Sequence, residues 1–297
     1  MIKRAVFLII FGLLIISKTA GSAASNGDRN LKSEVEIVNK FADYSIIKKW
    51  ELPYELEEVS GITWLSNDKI CCIQDEDGII FVYNLKTSTI EKEIEFAGDG
   101  DYEGITVDGK NAFVVRSDGT IYEVRDFLEG EPEVDKIKTG LTKKQNIESI
   151  CVDKLGHRLL LGVKDEEKNS DRYKGIYAYD LKNDHFQDKP LFRIDMKDEV
   201  FDEIDEDDPE KVMSPSGIAI NPESDEFYIV DGRRPKILIM SPDGNAERII
   251  FLDEDEFAQP EGITFSPSGK LYISNEASGG IPNILEIEIR EKDKKQQ

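Results

Sequence analysis

The sequence is poor in the residues that most enzymes use for nucleophilic and acid–base chemistry. It contains two histidines and three cysteines in 297 residues. His157 and His185 fall in predicted turns, one at the far end of the fold and one on its outer rim, which argues against a Ser-His-Asp triad. Cys71, Cys72 and Cys151 lie inside predicted strands, and this odd set argues against a disulfide framework and for buried free thiols.

Positive charge is also scarce. Lys and Arg number 38 against 61 Asp and Glu, which gives a net charge of −23. Nucleic acids and anionic lipid surfaces both attract proteins through Lys and Arg. The sequence therefore predicts no nucleic-acid partner and no docking on a membrane surface, and it leaves solubility or cation binding as roles for the acidic surplus.

Long apolar runs and helical periodicity are missing too. The apolar run over residues 5–16 follows Lys3 and Arg4 and precedes small residues, which is the pattern of a secretory signal. It is short for a membrane span, which needs about 20 apolar residues. We predict a signal peptide or retained N-terminal anchor over 1–24, a polar tether over 25–42, a single domain over 43–290 and a charged tail over 291–297. The protein is then expected to be secreted or periplasmic, or anchored in the membrane if the segment over 1–24 is retained.

A short motif recurs at five places, each time at the start of an apolar run of strand length. Its copies are Val59-Ser60-Gly61-Ile62, Tyr102-Glu103-Gly104-Ile105, Ile147-Glu148-Ser149-Ile150, Pro215-Ser216-Gly217-Ile218 and Pro260-Glu261-Gly262-Ile263. Their third residues are 43, 45, 68 and 45 positions apart, and a four-stranded propeller blade takes about 40–45 residues. The spacing predicts an all-β fold, a five-bladed β-propeller of four-stranded antiparallel blades, with an acidic insertion over 195–210. A six-bladed ring is the alternative.

The last blade lacks a predicted fourth strand, because a charged run follows residue 290. An additional strand is predicted over 45–52. Its distance from the first motif equals the distance that normally separates a fourth strand from the next motif. We predict that this N-terminal strand pairs with residues 283–289 and closes the ring. Closure removes the open edge that a linear stack of sheets would expose.

One end of the predicted ring gathers acidic side chains. In an antiparallel blade, the loops before first strands and after second strands lie at the same end. Glu103, Glu148 and Glu261 precede first strands, and Asp75 and Asn275 follow second strands. We predict that these five residues hold Ca²⁺ at the channel mouth, since carboxylate and amide oxygens suit that ion.

Two alternatives to a calcium site stay open. Carboxylates that converge on one axis must bind a cation, pair with basic side chains or hold protons. Arg116, Lys164 and Arg233 lie in loops at the same end and offer such pairing. In the second alternative, the polar motif residues form hydrogen bonds with backbone amides of the neighbouring blade. The motif glycines themselves need no ligand, because glycine permits close backbone approach at a crowded axis.

The ordered series of motifs resembles the SdiA-regulated family of bacterial proteins over about residues 45–290. The likeness is carried by Leu56-x-x-Val59-Ser60-Gly61-Ile62-Thr63-Trp64 and by Gln74-Asp75-Glu76-Asp77-Gly78-Ile79-Ile80, with the other four motifs in the family's order. Ser149 stands where the family usually has glycine. The resemblance implies a propeller outside the cytoplasm, distantly similar to calcium-bearing lactonase-type propellers whose central ion is held by Glu, Asn and Asp. It supplies no substrate.

These observations lead to a functional expectation with two alternatives. We expect a monomeric module that binds a small molecule or a protein at the carboxylate end of the channel, with a Ca²⁺ ion there. The first alternative is a Ca²⁺-dependent ester or lactone hydrolase on the same face, in which the metal polarises a carbonyl and a spare carboxylate is the base. The second is a scaffold that docks a partner through residues 195–210.

Overall fold

The fold is an all-β ring of five antiparallel sheets. A computed structural model describes residues 43–167, 170–206 and 208–290, all within one compact unit. The predicted signal or anchor over 1–24, the tether over 25–42 and the tail over 291–297 lie outside the described residues. Helical structure in the described part amounts to two 3₁₀ turns, Tyr54–Leu56 and Glu199–Phe201, and one short α-helix, α1 (Pro209–Val212).

Blades 1 to 4 take their strands in chain order from the axis outward, and blade 5 takes β1 as its outermost strand. Blade 1 contains β2 (Val59–Ser66), β3 (Lys69–Gln74), β4 (Ile79–Asn84) and β5 (Thr89–Glu95). Blade 2 contains β6 (Tyr102–Asp108), β7 (Asn111–Arg116), β8 (Thr120–Arg125) and β9 (Glu133–Lys138). Blade 3 contains β10 (Ile147–Asp153), β11 (Arg158–Val163), β12 (Tyr173–Asp180), β13 (His185–Phe186) and β14 (Phe192–Asp195). Blade 4 contains β15 (Pro215–Ile220), β16 (Phe227–Asp231), β17 (Lys236–Met240) and β18 (Ala246–Phe251). Blade 5 contains β19 (Pro260–Phe265), β20 (Leu271–Asn275), β21 (Asn283–Ile289) and β1 (Tyr44–Glu51).

The N-terminal strand closes the ring as predicted. β1 pairs antiparallel with β21, from Tyr44 opposite Ile289 to Glu51 opposite Asn283. Trp50 in β1 is 5% exposed and donates its indole N–H to the carbonyl of Leu85 in blade 1, at 2.7 Å. The first and last parts of the propeller are thus joined within one blade, and that blade is anchored to its neighbour.

Burial explains the sequence pattern of the strands. Middle strands such as β3 and β16 are buried on both faces and read as continuous apolar runs. Outer strands such as β5 and β9 alternate between exposed and partly buried positions, because one face packs on the next blade and the other meets solvent. The three cysteines are free and buried in middle or inner strands, as predicted. Burial raises the pKa of Cys71 to about 12, so that thiol stays neutral.

The motif glycines lie where first strands of neighbouring blades come closest. A Cβ on Gly61 would stand 2.8 Å from Cα of Gly104, and one on Gly262 would stand 2.7 Å from the backbone nitrogen of Ile62. Real Cβ atoms are not found at such distances, so the axis has no space for a side chain at these positions. This confirms the structural reading of these motif glycines.

Blade 3 departs from the predicted pattern in two ways. The outer edge of β12 pairs with two short strands, β13 and β14, instead of one continuous fourth strand. The acidic insertion that follows is partly anchored rather than fully solvated. Met196 and Phe201 within it, and Val212 and Met213 just after it, are buried in the core between blades 3 and 4.

Candidate functional site

The three predicted glutamates converge at one end of the axis. Glu103, Glu148 and Glu261 lie at the second positions of β6, β10 and β19. Glu148 is 5% exposed and Glu261 is 7% exposed. Together with axial glycines and isoleucines they line a void of only 10 Å³, space for about one water molecule. The carboxylate end of the channel is therefore almost closed.

A lysine stands among these carboxylates. Nζ of Lys164 lies 2.9 Å from Oε2 of Glu148 and 3.9 Å from Oε2 of Glu261. The backbone N–H of Lys164 donates to the carbonyl of Asn146 at 3.0 Å, which fixes the loop after β11. Asn146 adopts a left-handed φ of 49° and donates its side-chain amide to Oε1 of Glu148 at 2.6 Å. We call Lys164, Glu103, Glu148 and Glu261 the axial cluster.

Burial and mutual repulsion shift the proton equilibria of the axial cluster. Burial would lower the pKa of Lys164, but the carboxylates of Glu261, Glu148 and Glu103 raise it above its ordinary value, so the ammonium stays charged. Burial, reinforced by the charge of Glu148, raises the pKa of Glu103 to about 10. Burial likewise raises the pKa of Glu261 to about 7, against the opposing effect of Lys164. Glu103 therefore holds a proton at neutral pH, which reduces the charge that one lysine must balance.

Of the three basic residues considered from the sequence, only Lys164 joins the cluster. Arg116 forms a two-point ion pair with Asp118. Arg233 contacts Asp165 at 3.0 Å and Glu210 at 3.2 Å, outside the axial cluster. The side-chain pairing alternative is thus realised through the lysine alone.

The two motif serines make the backbone contacts of the other alternative. Oγ of Ser60 donates to the carbonyl of Tyr102 at 2.8 Å. Oγ of Ser216 donates to the carbonyl of Pro260, also at 2.8 Å. Each bond joins a blade to the next one. Serine at the second motif position therefore links neighbouring blades, whereas glutamate at that position belongs to the axial cluster.

The other two predicted calcium ligands lie at the same end but face different partners. Asp75 follows β3 and Asn275 ends β20, and Oδ1 of each is buried without a hydrogen-bond partner among the described residues. The Asn275 amide donates to Oδ1 of Asn283 at 3.0 Å. Burial and the nearby Glu76 and Asp101 raise the pKa of Asp75. Orphaned oxygens of this kind are compatible with a bound cation.

The donor set as a whole fits a calcium ion only in part. Two of its five members, Glu148 and Glu261, lie 2.9 Å and 3.9 Å from the ammonium of Lys164, which already supplies positive charge. Within residues 43–167, 170–206 and 208–290, no three or more His, Cys, Asp or Glu side chains are grouped to hold a metal ion. Asp75 and Asn275 each keep one buried oxygen without a hydrogen-bond partner among the described residues, whereas calcium normally takes about six to eight oxygen ligands.

The opposite end of the channel is open and was not recognised from the sequence. It contains a cavity of 590 Å³, which we call the funnel. Its floor is the ring of motif isoleucines, Ile62, Ile105, Ile150, Ile218 and Ile263. Its wall carries the residue two positions further along each first strand, namely Trp64, Val107, Val152, Ile220 and Phe265. Period-two alternation from each isoleucine points to these wall residues and was the signal available in the sequence.

Comparison with known families agrees with the motif series. The SdiA-regulated family profile matches residues 41–276, nearly the whole propeller. The chain belongs to the SdiA-regulated family. No curated protein matches it significantly. Within this SdiA-regulated chain, none of the described helices is long and apolar enough to cross a membrane.

Solved structures similar to this SdiA-regulated protein support the fold. Glutaminyl cyclase from Myxococcus xanthus aligns with a TM-score of 0.59 at 10% identity, covering 84% of this chain and 97% of that one. The PQQ-bound aldose sugar dehydrogenase from Streptomyces coelicolor aligns with a TM-score of 0.52 at 14% identity, covering 83% of this chain and 98% of that one. At such identities the likeness concerns architecture, and these enzymes' activities do not transfer with it.

Proposed function

We propose that this SdiA-regulated propeller is a binding module and that its axial cluster is a structural ion-pair network. The observation that carries the proposal is the position of Lys164, 2.9 Å from Glu148 and 3.9 Å from Glu261 at the narrow end of the channel. A buried cation in that position balances the converging carboxylates without a metal. The narrow end is then sealed, and ligands reach the protein elsewhere.

The hydrolase alternative has requirements that the axial cluster meets poorly. Metal-assisted ester hydrolysis needs an ion with an open position and a nearby carboxylate that accepts a proton. Glu103 is partly buried with a pKa of about 10, so it is protonated near neutral pH and is no base. Glu148 accepts hydrogen bonds from Lys164 and Asn146 on its two oxygens. Neither glutamate is free to activate water.

A calcium-bearing form is the second proposal, and the free oxygens of Asp75 and Asn275 favour it. Burial raises the pKa of Glu276, and the carboxylates of Asp75 and Glu58 add to that effect, while the ammonium of Lys164 opposes it. The ion would bind beside blades 5 and 1, with Glu103, Glu148 and Glu261 joining only if Lys164 withdrew. Such an ion would hold oxygen ligands of adjacent blades together.

Metal analysis and thermal unfolding distinguish the two proposals. The purified protein is dialysed against chelator and melted in chelator, in 5 mM Mg²⁺ and in 5 mM Ca²⁺, and it is assayed with simple ester and lactone substrates. The binding-module proposal predicts no stoichiometric metal, equal melting temperatures and no hydrolysis above background. A Ca²⁺-specific rise in melting temperature that saturates with concentration supports the calcium form. Ca²⁺-dependent turnover that Glu261→Gln abolishes overturns the first proposal.

We also propose that the propeller acts outside the cytoplasm as a monomer. The basic start, apolar run over residues 5–16 and small residues after it support export. Fractionation of cells that express the full chain tests this, together with the N-terminal sequence of the recovered protein. A product confined to the cytoplasm contradicts export. Light scattering that gives twice the chain mass contradicts the monomer.

A further inference from the structure

The axial cluster gives the funnel no role. The funnel volume of 590 Å³ falls within the range of about 300–1,000 Å³ that is typical of small-molecule sites. The isoleucine floor closes it toward the axial cluster, so a molecule inside would be enclosed on all sides but one. The floor and wall side chains named above carry no charge, while Thr63, Thr106 and Thr264 also line the cavity with hydroxyl groups. Asp153, at the end of β10, adds a carboxylate near the rim.

Two aromatic residues of the wall are held in fixed positions. Trp64 of blade 1 stacks on Tyr272 of blade 5, with ring centroids 5.5 Å apart and planes at 28°. Phe265 of blade 5 meets Tyr228 of blade 4 edge-on, with centroids 5.0 Å apart and planes at 88°. The backbone N–H of Trp64 also donates to Oγ1 of Thr264 at 2.9 Å. Both rings are partly exposed in the funnel, so they form a preorganised aromatic surface.

Charged residues occur only near the rim. Asp153 is paired with Arg158 at 2.7 Å and accepts the N–H of Gly156. Lys154 and Asp225 are exposed to solvent in the turns at this end. A charged ligand would leave its charge unpaired among isoleucine, valine and aromatic side chains, which is unfavourable. Leu155 on the rim is 77% exposed, so apolar surface continues from the wall to the lip.

We propose that the funnel is a binding site for a neutral, largely apolar small molecule with a flat ring system that packs on Trp64. This inference deepens the proposed binding function and rests on it. It places the ligand at the end of the channel opposite to the axial cluster. Affinity arises from apolar area removed from water and from stacking on the rigid indole of Trp64. Anions are disfavoured because their charge would be buried without a partner.

A matched pair of fluorescent probes tests the ligand class. N-phenyl-1-naphthylamine is neutral, and 1-anilinonaphthalene-8-sulfonate carries the same rings with a sulfonate. The folded full chain is titrated with each probe. We expect saturable binding of the neutral probe at one site and at least about ten-fold weaker binding of the sulfonate. Equal affinity for both probes, or no saturable binding of the neutral one, overturns the inference.

Variants locate the site. Trp64→Ala should weaken binding of the neutral probe by about ten-fold, because a rigid aromatic anchor is lost. Leu155→Asp, at an exposed position that folding does not need, should weaken it by a smaller factor. Tyr54→Ala serves as the control, since Tyr54 is 82% exposed and does not line the funnel. Binding that Trp64→Ala and Leu155→Asp leave unchanged means that the probe sits elsewhere and overturns the funnel assignment.

This experiment is separate from the test of the proposed function. Calcium-dependent hydrolysis would overturn the binding-module proposal while leaving probe binding in the funnel unaffected. Conversely, a metal-free, inactive protein that fails to bind the neutral probe would leave the axial cluster as described and remove the funnel site. The two failures have different readouts.

Discussion

Nζ of Lys164 lies 2.9 Å from Oε2 of Glu148, and both side chains are almost completely buried, at 12% and 6% exposure. The lysine follows β11 and the glutamate lies in β10, so one hairpin of blade 3 brings them together at the axis. Two further glutamates approach from blades 2 and 5. The carboxylates of Glu148 and Glu261 therefore share one ammonium, and a proton on Glu103 reduces the remaining repulsion.

Removing the lysine should destabilise the propeller strongly. In Lys164→Met the carboxylates of Glu148 and Glu261 stay buried without their cation. We expect the free energy of unfolding to fall by about 3–5 kcal/mol, the usual result of breaking a buried pair from one side. Urea unfolding of the wild type and the variant measures the change.

An exposed ion pair provides the matched control for that substitution. Arg172 contacts Asp195 at 2.8 Å, but its side chain is 64% exposed. Arg172→Met should therefore change the free energy of unfolding by less than about 1 kcal/mol. The double variant Lys164→Met/Glu148→Gln should recover part of the lost stability. Equal effects of the two single variants would contradict a structural role for the axial cluster.

The stability of the protein should fall as the pH rises through neutrality. The pKa of Glu261 is about 7 in the folded state against an ordinary value of 4.5. The folded state thus holds this proton more tightly, which stabilises it fully below about pH 4.5 and no longer above about pH 7. For this buried group the loss is on the order of 3 kcal/mol. Unfolding free energies measured between pH 5 and 8 check the slope.

Glu261→Gln should reduce that slope, because the amide mimics the protonated acid at every pH, while the raised pKa of Glu103 still contributes to it. The variant should match the wild type near pH 5 and exceed it in stability at pH 8. Glu93→Gln, at an exposed position in β5, should follow the wild-type profile. A Glu261→Gln profile parallel to that of the wild type between pH 5 and 8 would show that Glu261 does not titrate there.

The strand β1 that closes the ring should contribute as much to stability as the axial cluster does. Trp50→Ala removes a side chain that is 5% exposed and packs with Leu85 and Tyr272 at the seam between blades 5 and 1. We expect a loss of about 3–5 kcal/mol in the free energy of unfolding by urea. Ile47→Ala, in the same strand but 54% exposed, should cost no more than about 0.5 kcal/mol. Similar costs for both would mean that β1 is not an integral part of the ring.

The sequence predicts the architecture because its signals repeat. Five motif copies at blade spacing, a missing last strand and a spare first one determine the ring and its closure, and β1 paired with β21 confirms them. In blade 3 the sequence pattern did not show that the short strand β13 shares the edge of β12 with the fourth strand β14. The convergence of Glu103, Glu148 and Glu261 was likewise predictable from their common position in the motif.

What neutralises those glutamates was not predictable. Lys164, Arg116 and Arg233 occupy loops at the same end, and which of them turns inward depends on local contacts. Arg116 has Asp118 two residues away and pairs with it. Lys164 is directed to the axis by its backbone bond to Asn146. The funnel escaped notice because its wall residues resemble ordinary strand residues until the ring brings them together.

The motif of blade 3 has Ser149 where the other four motifs have glycine, and this difference leads to a further prediction. In blades 2 and 4 a first-strand glycine lies opposite a valine, as Gly104 opposite Val115 and Gly217 opposite Val230. Blade 3 reverses this arrangement, because Ser149 lies opposite Gly162. A Cβ on Gly162 would overlap Oγ of Ser149. The glycine that the motif lacks is thus supplied by the neighbouring strand.

A double-mutant cycle tests this compensation. Gly162→Val alone should cost about 1–3 kcal/mol or more in the free energy of unfolding, since the valine collides with Ser149. The double variant Ser149→Gly with Gly162→Val reproduces the pairing of blades 2 and 4 and should recover most of that loss. Ser149→Gly also removes a buried hydroxyl that has no partner among the described residues. The coupling between the two sites should exceed about 1 kcal/mol. Purely additive costs would mean that the two positions are independent and that blade 3 tolerates its serine for another reason.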